Sequence, residues 1–321
     1  MKKTVFFGLL LLLNACKDNP PKQRFLPDSN GNINDLTVVM PEKSWKGYLG
    51  YITQDLLGTP YEGLPFDEPQ FSLKFIPEEV FSGFARNSRN ILWFVKDSIP
   101  GFQLSENMMA KPQLVAKVSG EDEDVQAYFL EENIKLYRAT LNEMEQSEKL
   151  RRIMKSTSKV KDLKKRFNIT LTYPTAYETF KDTVNFTWIQ KPIRKGHMNL
   201  IAYSLPLNTL SGNVKKRVLA IRDSIGKTHI PGRLKGSYMI TERAYRPYFY
   251  KTKLNGKLAY ITKGTWEVAN DFMAGPFVNY MIKDTLNKRW MVVEGFTFAP
   301  SASKRDYMFE LNTILSSIKF Q

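Results

Sequence analysis

Residue types that do most enzyme chemistry are scarce in this chain: 321 residues hold two histidines, His197 and His229, and one cysteine, Cys16. A serine triad needs a histidine near a Gly-x-Ser-x-Gly turn, and no such turn is present. No His-Glu-x-x-His pair or histidine cluster exists either, so neither a metal nor a cofactor is expected. His197 follows Arg194-Lys195-Gly196 and His229 precedes Ile230-Pro231-Gly232; both read as solvated loop histidines. Gly226-Lys227-Thr228 looks like the end of a phosphate loop, but Ile221 stands where the first glycine is required. Ser156-Thr157-Ser158-Lys159 has the Ser-x-x-Lys spacing of cell-wall acylating enzymes and lacks the companion Lys-Thr-Gly. Glu267, Asp271 and Glu294 lie near tryptophans. Glycoside cleavage would need two such carboxyls roughly 5–9 Å apart across a cleft. A catalytic set is therefore not expected, and the hydrolase reading stays as the alternative.

Charge is the second chemical signal. Lysine and arginine number 47 against 32 acidic residues, a net +15. Nine basic residues fall between Lys149 and Arg166. Among them Lys155, Lys159, Lys161, Lys164, Lys165 and Arg166 are candidates for gripping an anionic surface. A second stretch, Arg243 to Lys253, interleaves basic residues with Tyr245, Tyr248 and Tyr250. A solvated hinge and a solvated strand face explain these stretches equally well.

The first sixteen residues narrow the partners. Met1-Lys2-Lys3 is followed by an apolar run from Val5 to Leu13, the pattern of an export signal. The run is far shorter than the roughly 18–20 residues that span a bilayer as a helix. Leu13-Asn14-Ala15-Cys16 resembles the lipobox of bacterial lipoproteins. That resemblance implies cleavage before Cys16, diacylglycerol on its thiol and further acylation such as palmitate. Several acyl chains, at about 0.8 kcal/mol per buried methylene, give lasting anchorage. The expected address is the cell envelope, at the outer membrane. There a nucleic-acid partner is not expected, whereas an envelope protein, anionic lipid or glycan is.

The elements that must position these residues follow from patterning. Residues 1–15 are the signal peptide and 16–34 read as a flexible tether, rich in Pro and polar residues. Leu36 to Met40 predicts a strand, Ser44 to Leu57 a helix, Phe71 to Phe75 a strand, Pro77 to Arg86 a helix and Ile91 to Lys96 a strand. Leu130, Ile134, Tyr137, Leu141 and Met144 recur at helical spacing in a long helix with an acidic start and a basic end. The acidic start, Glu121 to Asp124, lacks the spaced ligands of a calcium loop. Lys155 to Lys159 reads as a hinge, dividing an N-terminal lobe (35–157) from a C-terminal lobe (158–321). Beyond it come alternating strands, a basic amphipathic helix from Val214 and a meander whose tightest turn is Asn255-Gly256. A last helix carries Tyr307, Leu311, Ile314 and Ile318 on one face. The expected class is α+β, two lobes, each a mainly antiparallel sheet covered by helices.

The block from Gly264-Thr265-Trp266 through Gly275-Pro276-Phe277, Glu294-Gly295-Phe296 and Ala299-Pro300 to Lys304-Arg305-Asp306-Tyr307-Met308 carries a family resemblance. With Asn30 to Val39 and Arg86 to Phe94, it resembles an envelope-lipoprotein family of Bacteroidota described as domain of unknown function 4837. The resemblance implies an envelope lipoprotein and brings no catalytic residues. The C-terminal meander and helix are loosely similar to folds of the PsbP and Mog1 kind. The expected role is a non-catalytic binding or assembly factor; a glycan-binding module is a further alternative.

Overall fold

The computed structural model describes residues 25–159 and 161–321. Cys16 and the segments read from the sequence as signal peptide and first part of a tether lie outside these. Among the described residues no helix is long and apolar enough to cross a membrane.

The first lobe contains β1 (Asp35–Met40), α1 (Glu42–Trp45), α2 (Tyr48–Leu57), β2 (Ser72–Pro77), β3 (Asn90–Lys96), β4 (Gly101–Glu106), β5 (Leu114–Gly120) and α3 (Glu123–Met154). Its sheet runs β2-β1-β3-β5-β4. The expectation of a mainly antiparallel sheet is wrong here, since β1 is parallel to β2 and β3, β3 is parallel to β5, and only β4 is antiparallel. The cause lies in the connection. Between Met40 and Ser72 the chain crosses over through α1 and α2, so β2 enters in the same direction as β1. Burial on both faces also explains why β1 and β5 read as nearly continuous apolar runs. One face packs under α2 and α3 through Leu36, Val38, Leu92, Phe94, Leu130 and Tyr137. The opposite face, with Val39, Ile91 and Val115, packs on Phe81.

Three further expectations change. The helix placed over 77–86 is two short 3-10 turns, Glu78–Val80 and Gly83–Asn87, interrupted where Gly83 takes φ +51°. The helix from Ser44 breaks at Gly47 into α1 and α2. The flexible segment expected over 16–34 does not include residues 27–34, because Pro27 and Ser29 hydrogen bond with Lys111, Asn30 pairs with Asn87, and Asn34 is fully buried. Residues 27–34 thus belong to the folded lobe.

The long helix α3 stands where its periodicity put it. Asp122 caps it, its carboxylate accepting from Val125 N at 2.9 Å. After it come α4 (Asp162–Phe167), β6 (Ile169–Thr170), β7 (Glu178–Thr183), β8 (Phe186–Ile193), β9 (Gly196–Pro206) and α5 (Val214–His229). Then follow β10 (Tyr238–Thr241), β11 (Tyr248–Leu254), β12 (Lys257–Ala269), β13 (Asp271–Asp284), β14 (Arg289–Phe298), α6 (Arg305–Ser316) and β15 (Lys319–Phe320). Eight of these strands form one antiparallel sheet, β10-β12-β13-β14-β9-β8-β7 with β11 beside β12. Asn255 (φ 49°) and Gly256 (φ 75°) close the β11–β12 hairpin in the left-handed region the dipeptide favours. Helix α5 covers one face of the sheet and α6 the other. The architecture is α+β.

The lobes are joined by named polar contacts. Glu310 on α6 meets Lys149 of α3 at 2.6 Å and Lys191 of β8 at 2.7 Å, and accepts from the Tyr177 hydroxyl at 3.0 Å. Glu68 accepts from the backbone N–H groups of Lys304 and Arg305, capping α6 from the first lobe. Burial alone would raise the Glu310 pKa, but Lys149 and Lys191 outweigh it and hold the carboxyl below its ordinary range.

Candidate functional site

Strand alternation gathers aromatic residues onto the face of the large sheet that α5 covers. Trp188, Phe296 and Trp266 all point to it, because residues two apart on a strand share a face. Beyond the C-terminal end of α5 the helix no longer shields them. There Ile230 to Arg233 form one wall of a cleft of about 460 Å³. Its apolar walls are Trp188, Trp266, Phe296, Phe298, Met239 and Met273. Trp266 lies edge-on to Phe296, with ring centroids 5.8 Å apart.

Gly275 explains how Trp266 fits. A Cβ there would lie 2.1 Å from Thr297 O and 3.1 Å from Trp266 Nε1, so any side chain would push the indole off the sheet. Trp266 is buried, yet its Nε1–H has no partner among the described residues. An unpaired buried donor costs about 1–3 kcal/mol, which a ligand acceptor would offset. The second tryptophan is satisfied: Trp188 Nε1 and Gln190 Nε2 both donate to Asn199 Oδ1 at 3.0 Å. Exposed Phe180 lines the cleft, and exposed Leu234 and Phe272 flank in the chain the Arg233–Asp271 ion pair, whose Arg233 is also a lining residue. Arg233 holds the Asp271 carboxyl below its ordinary range.

Under the cleft sits a buried ion pair that sequence reasoning missed. Arg222 of α5 donates through Nε and Nη2 to Glu294 at 3.0 and 2.8 Å. Its Nη1 reaches Thr241 Oγ1 at 3.0 Å, its Nη2 faces the sulfur of the cleft residue Met239, and the guanidinium lies 3.7 Å over the Phe277 ring. Asn279 donates to the other Glu294 oxygen at 2.9 Å.

This geometry bears on the carboxylates considered for hydrolysis. Glu294 is spent on Arg222, and Asp271 on Arg233. Glu267 is adjacent to Trp266 on β12, so it points to the opposite sheet face from Glu294. Burial, and then Glu242, raises its pKa. Glu267 and Glu294 therefore cannot flank one bond.

His197 opens β9 and lines the cleft, and His229 ends α5 stacked on Phe186 at 4.1 Å. The reading of His229 as a solvated loop residue is corrected; burial, and then Lys181, lowers its pKa. Gly226-Lys227-Thr228 lies inside α5, with Gly226 against Met239 O, which is no phosphate loop. The basic candidates are placed along one connection. Lys155 ends α3, while Lys161, Lys164, Lys165 and Arg166 lie at or in α4, all exposed like Lys159. Arg166 is paired with Asp182. Cys16 lies outside the described residues.

Fold and cleft together define a two-lobed α+β protein with an aromatic-walled site on the antiparallel lobe. Residues 156–317 match the family described as Domain of unknown function (DUF4837), and the chain belongs to that family. Residues 29–154 match a second one, Domain of unknown function (DUF8532). No curated protein matches the chain significantly. Among solved structures, the Ran-binding protein Mog1p of Saccharomyces cerevisiae is similar at 11% identity and TM-score 0.32, over 47% of this chain and 89% of that one. A point mutant of protein Mog1 gives 11% identity and TM-score 0.30 over 47% and 90%. A protein of Bacteroides thetaiotaomicron gives 9% identity and TM-score 0.27 over 48% and 45%.

Proposed function

We propose that this protein is a lipid-anchored component of a bacterial cell envelope, held at the outer membrane by acyl chains on Cys16. Its C-terminal lobe binds a partner protein without catalysing a reaction. The observation that carries the binding role is the aromatic cleft with its unpaired Trp266 Nε1–H, lined by the exposed Phe180, with exposed Leu234 and Phe272 next in the chain to the lining residues Arg233 and Met273. Buried aromatic anchors inside an apolar collar are the composition of a protein-binding hot spot. The cleft accepts an apolar side chain, and the indole N–H donates to a carbonyl beside it. Separation of Glu267 from Glu294 by the thickness of the sheet argues against the hydrolase alternative.

Two experiments test the reading. Crosslinking in cells, affinity recovery and mass spectrometry should return one protein in near-equal amount, and Phe296→Ala should reduce that recovery. Equal recovery with the variant would remove the cleft from the proposal. Separately, Cys16→Ala should lose lipid labelling and leave the membrane fraction; a variant that stays membrane-bound and normally processed would refute the anchor.

A further inference from the structure

A second cleft, also of about 460 Å³, lies between the lobes and shares no lining residue with the aromatic one. One wall is a single stripe of α3, with Lys135, Arg138, Asn142 and Gln146 at helical spacing. The other is built by Tyr61 and Glu62 of the loop after α2, Tyr250 of β11, Lys263 of β12 and Asn312 of α6. Only the packing of the two lobes brings these residues together.

The polar groups divide into those already committed and those left over. Glu62 is held by Lys263 at 2.9 Å and by the Tyr250 hydroxyl at 2.6 Å, which closes that part of the wall. Burial alone would raise the Glu62 pKa, but Lys263, the two hydrogen bonds and the more distant Arg138 charge outweigh it and keep it ionised. Lys135 has no ion pair among the described residues, and the Arg138 guanidinium reaches only Gln70 Oε1, at 3.4 Å. Asn312 is the most telling. It is 8% exposed, its Oδ1 accepts from Tyr280 at 3.1 Å, and its Nδ2 donates to nothing among the described residues. Above it the Tyr61 phenol is kept protonated by burial, then by Tyr280 and Glu62, and so remains a donor.

We infer that this inter-lobe cleft binds an anionic saccharide. Amides and phenols offer both donors and acceptors, the match for hydroxyl groups, which are both at once. Lys135 and Arg138, neither of them in an ion pair among the described residues, supply the charge-assisted contact that a sugar carboxylate needs. The Lys263 ammonium lies 5.8 Å from the centroids of both the Tyr61 and Tyr250 rings, so these tyrosines frame the cleft with their polar edges. A neutral apolar ligand would strand the Asn312 amide and both cations, and inorganic phosphate alone would leave the amide stripe of α3 unused.

The test is titration calorimetry on the purified full chain in detergent, with tetragalacturonate, uncharged maltotetraose and inorganic phosphate as the three probes. Tetragalacturonate should bind at least about tenfold tighter than maltotetraose, and Arg138→Ala should weaken it by about tenfold. Lys135→Ala, at an exposed helix position, should weaken it less and leave folding unchanged. Three results would overturn the assignment: no binding of tetragalacturonate, binding unchanged in both variants, or equal binding of phosphate.

Discussion

Each lobe buries one arginine–glutamate pair between a helix and the sheet, and the two pairs serve different purposes. In the first lobe Arg89 meets Glu145 of α3 at 2.6 Å, and its remaining N–H groups go to the backbone carbonyls of Gly31 and Asn32. Glu145 also accepts from Asn34 N and from Asn90 Nδ2. That pair is a clamp: it fastens the incoming chain to the long helix through main-chain atoms. In the second lobe Arg222 and Glu294 are surrounded by side chains, namely Thr241, Met239, Asn279 and the Phe277 ring. There the pair is a floor, fixing the sheet face that opens into the aromatic cleft. Placement of a buried charge thus depends on whether chain entry or a binding surface must be held.

The largest expected effect would come from breaking the clamp. Glu145→Ala leaves a buried guanidinium without its counter-charge and strips the Asn34 N–H and the Asn90 amide of their shared acceptor, so it should cost about 3–5 kcal/mol, read by urea unfolding. Glu294→Ala should cost about 3 kcal/mol, because Arg222 keeps Thr241 and the aromatic ring. Equal losses, or a larger one at Glu294, would erase the distinction between clamp and floor.

Next in size is a substitution above the floor. Trp266→Phe removes a buried donor that has no partner, so stability should change by no more than about 1 kcal/mol while partner recovery falls. A large stability loss with undiminished recovery would make the indole a structural part of the core.

Acid should then separate the lobes before it melts either one. The depressed Glu310 pKa means that its contribution is complete above the ordinary value of 4.5 and is lost as pH falls through the lower folded value. Glu310→Gln should flatten the acid limb of stability between lobes, followed by thermal unfolding from pH 6 downward. An unchanged acid limb would deny the Lys149–Glu310–Lys191 bridge its role.

The smallest effect concerns the basic connection. Reversing Lys161, Lys164 and Lys165 to glutamate should leave stability within about 1 kcal/mol, since these side chains are exposed. Binding to anionic vesicles should fall, and the residual binding should lose its salt dependence. Unchanged vesicle binding would remove lipid contact from this segment.

Local signals were legible and came out in place. The 3.6-residue spacing from Leu130 to Met144, the Asp122 cap and the Asn255-Gly256 turn each depend on neighbours within a few residues, and the structure holds all three. Strands β4 and β5 were not anticipated, although Leu114-Val115-Ala116-Lys117-Val118 is the apolar run of a strand buried on both faces. The same signal in Leu36 to Met40 could have revealed the parallel sheet. Gly83 could have warned against a helix over 77–86.

By itself the sequence determined the α+β class, the long helix, the antiparallel meander and the scarcity of catalytic residue types, because these follow from period, turn chemistry and composition. Tertiary structure decided the rest. Arg89 and Glu145 are 56 residues apart, Arg222 and Glu294 are 72 apart, and Lys263 and Glu62 are 201 apart. No local pattern encodes such pairings. They arise when two sheets and their helices pack, because a buried charge is tolerable only where packing delivers its counter-charge.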